Sequence, residues 1–385
     1  MRIRHFEVFQ TALPFRVRFR HAQASRSHSA SIFVRCELAD GAVGHGEGLP
    51  REYVTGESWE GCFQNLTQRI LPPLLDCDFA TIGEVEAFCG GLYERLVSGA
   101  AGIAERPGAA CCAAELALLD AYGRHFGATS FAHSGAGSDP VYSGVISSSG
   151  IVAAAVTAWR CRRAGVPAVK LKAGTPRDGA VLRVARRILG PAVSLRMDAN
   201  MGWEFDEARR AIRMARRHAV HYVEQPLARG RHELCRRLAD ETGARLIADE
   251  DLCDLRDAET LVEAGACQVF NIRVSKCGGF FNSLRLGHFA RRHGLEVQVG
   301  CQVGESALLS AVGLAVARRL APVVFMEGSF GTRLLVDDLS GWASGHGFAF
   351  GPGGRAPRYD PESGIGIALN EAALRRYSVR SCRIG

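Results

Sequence analysis

From about residue 140 onward the chain repeats one unit, and that repetition limits the folds open to it. A short β-rich run ends in a polar or glycine signal, and a helix-like segment follows. The runs are VYSGVISS (141–148), AVKLKAG (168–174), SLRMDAN (194–200), HYVEQPL (221–227), RLIADED (245–251), QVFNIRVSKCGG (268–279), EVQVGCQ (296–302) and VVFMEGS (323–329). Eight strands alternating with helices predict an α/β fold, a (β/α)₈ barrel of the modified TIM type. The residues near the run ends keep a nearly constant interval. Lys172, Asp198, Glu224, Asp249, Lys276, Cys301 and Glu327 follow one another at steps of 26, 26, 25, 27, 25 and 26 positions. One βα unit per step sets all seven at the same end of the barrel, the C-terminal mouth where barrel enzymes carry their chemistry.

The lysines sharpen this reading. Of the 47 lysine and arginine residues, only Lys170, Lys172 and Lys276 are lysine. Arginine stays protonated in proteins, whereas lysine can give up its proton when its surroundings disfavour charge. Lys170 and Lys172 stand two apart on one strand and so share a face. In a closed site the ammonium of Lys170 is expected to lower the pKa of Lys172. At a solvent-facing sheet edge the pair would mean nothing.

Asp198, Glu224 and Asp249 on consecutive strand ends offer three hard oxygen ligands for a divalent cation such as Mg²⁺, with Mn²⁺ as a substitute. Lys172 and Lys276 belong to strands four apart in a ring of eight, on opposite sides of the mouth. A base on each side of a bound carboxylate suits removal of its α-proton and delivery to either face. Asn200, two residues past Asp198, supports the metal shell or caps the next helix; the two readings stand level.

The first 127 residues read as a separate α+β module. IRHFEVFQTALPF and SIFVRCELADGAVGHGEG are antiparallel strands with a turn at Asp40-Gly41, and helices are expected near 57–76 and 109–124. GHGEG (44–48) lacks the strand-to-helix context of a phosphate loop and is assigned a turn. The segment 345–385 is expected to return to this module, leaving 128–344 for the barrel. No apolar run reaches the length of a membrane span, and MRIRHFEVFQ has no apolar signal core. The expectation is a cytoplasmic protein without membrane or nucleic-acid partners. The net charge of +7 sits in pairs such as Arg186-Arg187 and Arg216-Arg217, the pattern of solvated helix faces. Thirteen cysteines form no zinc-type pairs and read as reduced. His218 and His221 share no helical face, since the second opens a strand.

KLK (170–172), RMDAN (196–200), VEQP (223–226), ADED (248–251) and SKCGG (275–279) together resemble the enolase superfamily, in its muconate-lactonizing-enzyme-like subgroup; lysine bases beside Mg²⁺ are a general pattern of that superfamily. GHGEGLPREYVTGES (44–58) and PESGIGIAL resemble its capping domain. The resemblance implies Mg²⁺ held by Asp198, Glu224 and Asp249, an acid/base pair of Lys172 and Lys276 assisted by Lys170, and a small carboxylate substrate. It further implies a homo-oligomer. Capping loops near Phe19–Ser29 and Arg51–Thr55 would then shape specificity. Arg20, Arg51 and Tyr53 are the substrate-contact candidates there, with Glu327 and Asn200 from the barrel. Dipeptide epimerases of this subgroup tend to carry two acids one residue apart near the eighth strand; here that region reads Met326-Glu327-Gly328-Ser329-Phe330, with one acid, closer to cycloisomerases. Racemisation or epimerisation of an N-acyl amino acid, dipeptide or similar carboxylate is the leading expectation. Muconate-type cycloisomerisation and syn-elimination of the o-succinylbenzoate-synthase kind use the same constellation. A noncatalytic binding protein on the same scaffold is the rival of another class.

Overall fold

A computed structural model describes the chain except for residues 22–23, 99–105, 134–138, 148–149 and 341–347, and describes no side chain for 17–21, 24–25 and 332. Two sheets organise it. The first is antiparallel and follows the order β12-β1-β2-β3, from β1 (Ile3–His21), β2 (Ala24–Leu38), β3 (Val43–Gly48) and the returning tail strand β12 (Ser378–Ile384). The second is an eight-stranded sheet whose order runs straight from the eighth strand back to the first. Its strands are β4 (Gly144–Ile146), β5 (Ala168–Lys172), β6 (Ser194–Asp198), β7 (Val220–Glu224), β8 (Arg245–Ala248), β9 (Val269–Ile272), β10 (Glu296–Val299) and β11 (Phe325–Met326). They are paired in parallel throughout. Tyr142, just ahead of β4, bridges Met326 of β11, and the Ser143 amide donates to the Met326 carbonyl at 2.8 Å. The sheet thereby curls back on itself as the expected barrel.

Helices cover both layers. Around the first sheet lie α1 (Glu52–Thr55), α2 (Trp59–Asn65), α3 (Ile82–Gly90), α4 (Leu92–Val97) and α5 (Gly108–Phe126). Around the barrel run α6 (Ile151–Arg163), α7 (Asp178–Leu189), α8 (Phe205–Arg216), α9 (His232–Thr242), α10 (Leu255–Ala264), α11 (Phe280–Arg292) and α12 (Ala307–Arg319), then the short α13 (Gly331–Leu334) and α14 (Glu371–Tyr377). The barrel helices α7 and α8 bury apolar stripes, Val181, Leu182, Ala185 and Leu189 on one and Ala208, Ile212 and Ala215 on the other, and α7 also buries Asp178. Of their arginine pairs only Arg187 and Arg217 are exposed; the half-buried Arg186 and Arg216 donate to the carbonyls of His218 at 2.9 Å and Gly243 at 3.0 Å.

Three expectations need correction. The helix at 57–76 stops after Asn65; a π-turn (Leu66–Ile70) and a 3₁₀ turn (Pro72–Asp76) replace it, because Pro72 and Pro73 bring no amide hydrogen to an α-helical ladder. The loop placed at Phe19–Ser29 continues β1 and β2 outward instead. GHGEG is a strand, not a turn. Gly44, Gly46 and Gly48 alternate onto one face of β3, where helix α5 lies almost in contact with the backbone. A Cβ at these positions would meet Ala121 N at 2.0 Å, Ala113 O at 1.9 Å and Ala109 O at 2.1 Å. The small residues of α5, including the buried Cys111-Cys112 pair, complete this close approach, which only glycine permits.

Between these glycines, Glu47 points the other way. It is fully buried and accepts from the Ser306 amide at 3.0 Å and from the Ser306 hydroxyl at 2.5 Å. Glu47 therefore caps the first turn of α12 from outside the barrel. Burial nonetheless pushes its carboxyl up to about 7, and that of the buried Glu115 on α5 up to about 8, from 4.5.

Two tests follow from this packing. Gly46→Val is expected to destabilise the protein by about 3 kcal/mol through overpacking, read from the urea midpoint; an unchanged midpoint would contradict the close approach. Between 4.5 and their folded values, Glu47 and Glu115 keep protons in the folded protein that the unfolded chain has released. Stability therefore falls as pH rises through this window. Denaturation from about pH 5 to about pH 8 is expected to show that decline, with a shallower slope for Glu47→Gln than for the unmodified chain.

Candidate active site at the barrel mouth

Strand register brings the polar residues together. Lys172 on β5 lies beside Asp198 on β6, and Asp198 beside Glu224 on β7. One layer deeper, Lys170 neighbours Arg196 in the same register. Val169, Leu171, Leu195 and Met197, which alternate with them, are buried in the apolar layer under the helices. Strand alternation thus turns a charged row inward and an apolar row outward.

The inward row forms a dense ion cluster. Lys170 Nζ lies 3.0 Å from Asp198 Oδ2, 3.1 Å from Glu224 Oε1 and 2.8 Å from Glu327 Oε1. Glu224 also accepts from Asn271 Nδ2 and Gln298 Nε2, both at 3.0 Å. Arg196, fully buried, pairs with Glu327, donates to Ser143 Oγ at 3.1 Å and stacks 4.3 Å from the Phe325 ring centroid. Burial works against the charge on Lys170, but the three carboxylates outweigh it and hold the ammonium above its ordinary range. Burial likewise opposes ionisation of Glu327, yet Lys170 and Arg196 bring it down to about 2. Against burial, Lys170 and Lys172 hold Asp198 far below the usual carboxylate range. Lys170 therefore does not confront Lys172 as a bare charge, as expected from sequence; three carboxylates offset it.

At the mouth, the row of acids is bracketed by the other two lysines. Lys172 Nζ donates to Asp198 Oδ2 at 2.6 Å and to Asn200 Oδ1 at 2.7 Å. On the far side, Lys276 Nζ donates to Asp249 Oδ1 at 3.0 Å, to the Asp249 carbonyl at 2.6 Å and to the Asn271 carbonyl at 2.9 Å. Burial, with Arg273 nearby, lowers the pKa of Lys276. Arg273 also pairs with Asp249. Asn200 passes its second contact to Glu250 Oε1 at 3.2 Å. It caps no helix, for α8 begins after Glu204.

Asp198, Glu224 and Asp249 are all fully buried, and their all-oxygen donor set suits a hard divalent cation. Glu250 Oε2 beside them is buried without a partner. Burial first, then Asp198 and Glu224, raise the Glu250 carboxyl to about 7, the mark of crowded negative charge. Among the described residues no three acidic, histidine or cysteine side chains converge as a closed metal cage, since the lysines and Arg273 draw each carboxylate to themselves. The donors fit such an ion in kind.

The other substrate-contact candidates fall differently. Glu327 is enclosed by Lys170 and Arg196. Arg51 is buried, and its terminal nitrogens donate to the carbonyls of Pro50 and Val303 at 2.8 Å and of Ala30 at 3.4 Å. It fastens the first sheet to the loop after β10, with burial and Arg26 pushing its pKa down to about 10. Tyr53 is half-buried on α1. The Arg20 side chain lies outside the described residues. Arg196, Asn271, Gln298, Arg273 and Glu250 were missed from sequence. Arg196 was within reach, because it stands two residues before Asp198 on one strand, as Lys170 does before Lys172.

Known proteins share this architecture. A family model described as Enolase C-terminal domain-like matches residues 152–373. The N-succinyl-L-Arg/Lys racemase of Bacillus cereus is 26% identical over 384 residues, covering 98% of each chain, and its crystal structure superposes with a TM-score of 0.87 over all of both chains at 24% identity. A dipeptide epimerase from Cytophaga hutchinsonii, solved with Mg and D-Ala-L-Val, gives a TM-score of 0.85 at 21% identity over all of both chains. Muconate lactonizing enzyme gives 0.81 at 22% identity, over 98% of this chain and all of that one. With a matching family model over more than half its length and racemase and epimerase relatives, the chain belongs to the enolase superfamily, in its muconate-lactonizing-enzyme-like branch, and is an isomerase of that group.

Proposed function

We propose that the protein is a Mg²⁺-dependent racemase of N-acyl amino acids, working by removal and return of the proton α to the substrate carboxylate. The observation that carries this reading is the bracketed row of acids, with Lys172 on Asp198 at one end and Lys276 on Asp249 at the other. Magnesium held by Asp198, Glu224 and Asp249 would supply Lewis-acid stabilisation of the negative charge that builds on the carboxylate oxygens. The chain's own residues do the rest. A lysine on one face takes the α-proton, and the lysine on the opposite face returns one, which inverts the centre. For Lys276, burial already favours the neutral amine that a base must be. Lys170 stays an ammonium and balances the buried acids. Asn200 orients the Lys172 amine from the side.

The eighth strand separates N-acyl amino acids from dipeptides. A free α-ammonium needs an unspent carboxylate, and the two positions that would supply one are occupied. Glu327 is committed to Lys170 and Arg196. At the second position stands Ser329, whose hydroxyl donates to the Phe348 carbonyl at 2.6 Å. An acylated amine carries no charge and needs no such partner. The named activity of the Bacillus cereus relative, on N-succinyl-L-Arg/Lys, lends this choice support. Buried thiols such as Cys36, Cys89, Cys111 and Cys267, which form no disulfide, suit a reducing, cytoplasmic setting. Val152 and Trp159 on α6, 79% and 52% exposed, suit burial between copies in a homo-oligomer.

In D₂O with Mg²⁺, deuterium is expected to enter the α-carbon of both enantiomers of N-succinyl and N-acetyl amino acids. Dipeptides and muconate-type dicarboxylates should react much more slowly. Lys172→Ala and Lys276→Ala should each abolish racemisation while sparing exchange of one enantiomer. Chelation should stop exchange, and added Mg²⁺ should restore it. Exchange that survives both substitutions would rule out the two-lysine mechanism, and preference for dipeptides would rule out the assignment at Glu327 and Ser329.

A further inference from the structure

Lys276 does not sit on a strand. It follows β9 by four residues, in a turn that ends in Gly278-Gly279 and runs straight into α11. A turn of this kind fixes a side chain only if something holds it from behind. Three groups from α4 and α5, outside the barrel, do so. Gly108, the first residue of α5, lies so close that a Cβ there would come within 2.5 Å of the Lys276 carbonyl. The Tyr93 ring of α4 presses on Gly278, where a Cβ would meet Tyr93 Cδ2 at 2.2 Å. The carboxylate of Glu115, 1% exposed in the middle of α5, accepts from the backbone amides of Phe280 and Phe281. A Cβ on Gly279 would fall 2.0 Å from Glu115 Oε2.

Those amides are the first donors of α11, which has no capping side chain of its own at Gly279. An acid at a helix start satisfies amides that otherwise lack acceptors. Here the acid comes from a different sheet layer, 165 residues earlier in the chain. The loop that follows Lys172 is held differently. There, Asp178 of the loop's own helix accepts from Gly174 and Thr175. The turn at Lys276 has local support too, since Asn282 of α11 donates to the Cys277 carbonyl at 2.6 Å, but it alone adds a hold from another layer through Glu115.

We propose that Glu115 is a positioning residue for Lys276, setting that base against the substrate without touching it. The proposal rests on the two-lysine reading, and it makes the two faces of the reaction separable. Withdrawing Glu115 loosens the Ser275–Phe281 segment and displaces Lys276, while Lys172 keeps its place. Small displacements of a reacting group are costly, about 100-fold for about 1 Å.

The test uses the full-length protein with Mg²⁺, both enantiomers of an N-succinyl amino acid in D₂O, and the variants Glu115→Ala, Glu115→Asp and Glu115→Gln. Lys276→Ala first identifies the enantiomer whose exchange depends on Lys276. For that enantiomer, Glu115→Ala is expected to lower exchange by about 10- to 100-fold in kcat with little change in KM. Exchange of the other enantiomer should stay unchanged. Glu115→Gln keeps an acceptor for only one of the two amides, because Phe280 and Phe281 bond to different carboxylate oxygens, and should recover at most part of the loss. Glu115→Asp, which withdraws the carboxylate by one methylene, serves if the alanine variant does not fold. In parallel, backbone hydrogen exchange read by mass spectrometry should quicken in residues 275–283 of the Ala or Asp variant and not across the barrel.

An equal fall for both enantiomers would overturn the positioning role, as would an Ala variant that leaves exchange of the Lys276-dependent enantiomer unchanged. If the unmodified protein exchanges neither enantiomer, the racemase reading fails. The backbone measurement then decides on its own, with unchanged exchange in 275–283 overturning the proposal and local quickening supporting it.

Discussion

Putting Asp198, Glu224 and Glu327 inside a barrel is the costly step of this structure, and Lys170 is what makes it possible. Carboxylates removed from water are tolerated only when they are paired and hydrogen-bonded. Lys170 touches all three at 3.1 Å or less. Arg196 shares Glu327 Oε1 with it, Asn271 shares Glu224 Oε1, and Gln298 donates to Glu224 Oε2. The layer around Lys170 is thus ionic, and it borders a small buried apolar cluster of Ile247, Val269 and Phe325. Its charges cannot be altered singly without stranding another. That is why Lys170 is better understood as the floor of the site than as a tuning charge for Lys172.

The second constraint is that the mouth is closed by loops, and loops need external fixing. The first sheet supplies it through contacts of unusual closeness. Glycines in β3 bring α5 down onto the backbone. Glu47 caps α12 and Glu115 caps α11. Arg51 ties Val303 to Pro50. Each of these contacts reaches a loop or helix start on the same end of the barrel. The amides that Glu47 and Glu115 meet offset only part of their burial, which still pushes the two carboxyls up to about 7 and about 8.

The periodic spacing of strand-end residues made the barrel and its mouth legible, since strand alternation and one βα unit per 25 to 27 residues leave few alternatives. Lys172, Asp198, Glu224, Asp249 and Lys276 are placed by that logic alone. Glu327 followed the same interval, but its partners Arg196 and Lys170 come from strands distant in sequence and left no local sign. GHGEG misled for a related reason. Glycine triplets signal turns when read locally, and only the alanine- and cysteine-rich helix α5, far along the chain, explains why a strand should be stripped of side chains. Glu115 was invisible too: an acid in the middle of an apolar helix carries no local sign that its partners are two amides of another layer.

The division of labour between arginine and lysine ties these observations together. Wherever this chain needs a fixed positive charge it uses arginine, as in Arg51 across three carbonyls or Arg196 between a carboxylate and an aromatic ring. A planar, permanently charged fork is suited to that work. The three lysines differ from it and from one another. Lys170 provides a compact ammonium small enough to sit among three carboxylates at once, a place a guanidinium could not fill without spreading the acids apart. Lys172 and Lys276 stand at the ends of the acid row, where the proposed reaction needs a group able to exist as a free amine. On that proposal, a chain that replaced these two by arginine would keep the cluster's charge balance and lose its bases. The rarity of lysine here is therefore a statement about chemistry, because charge balance alone would not have required it.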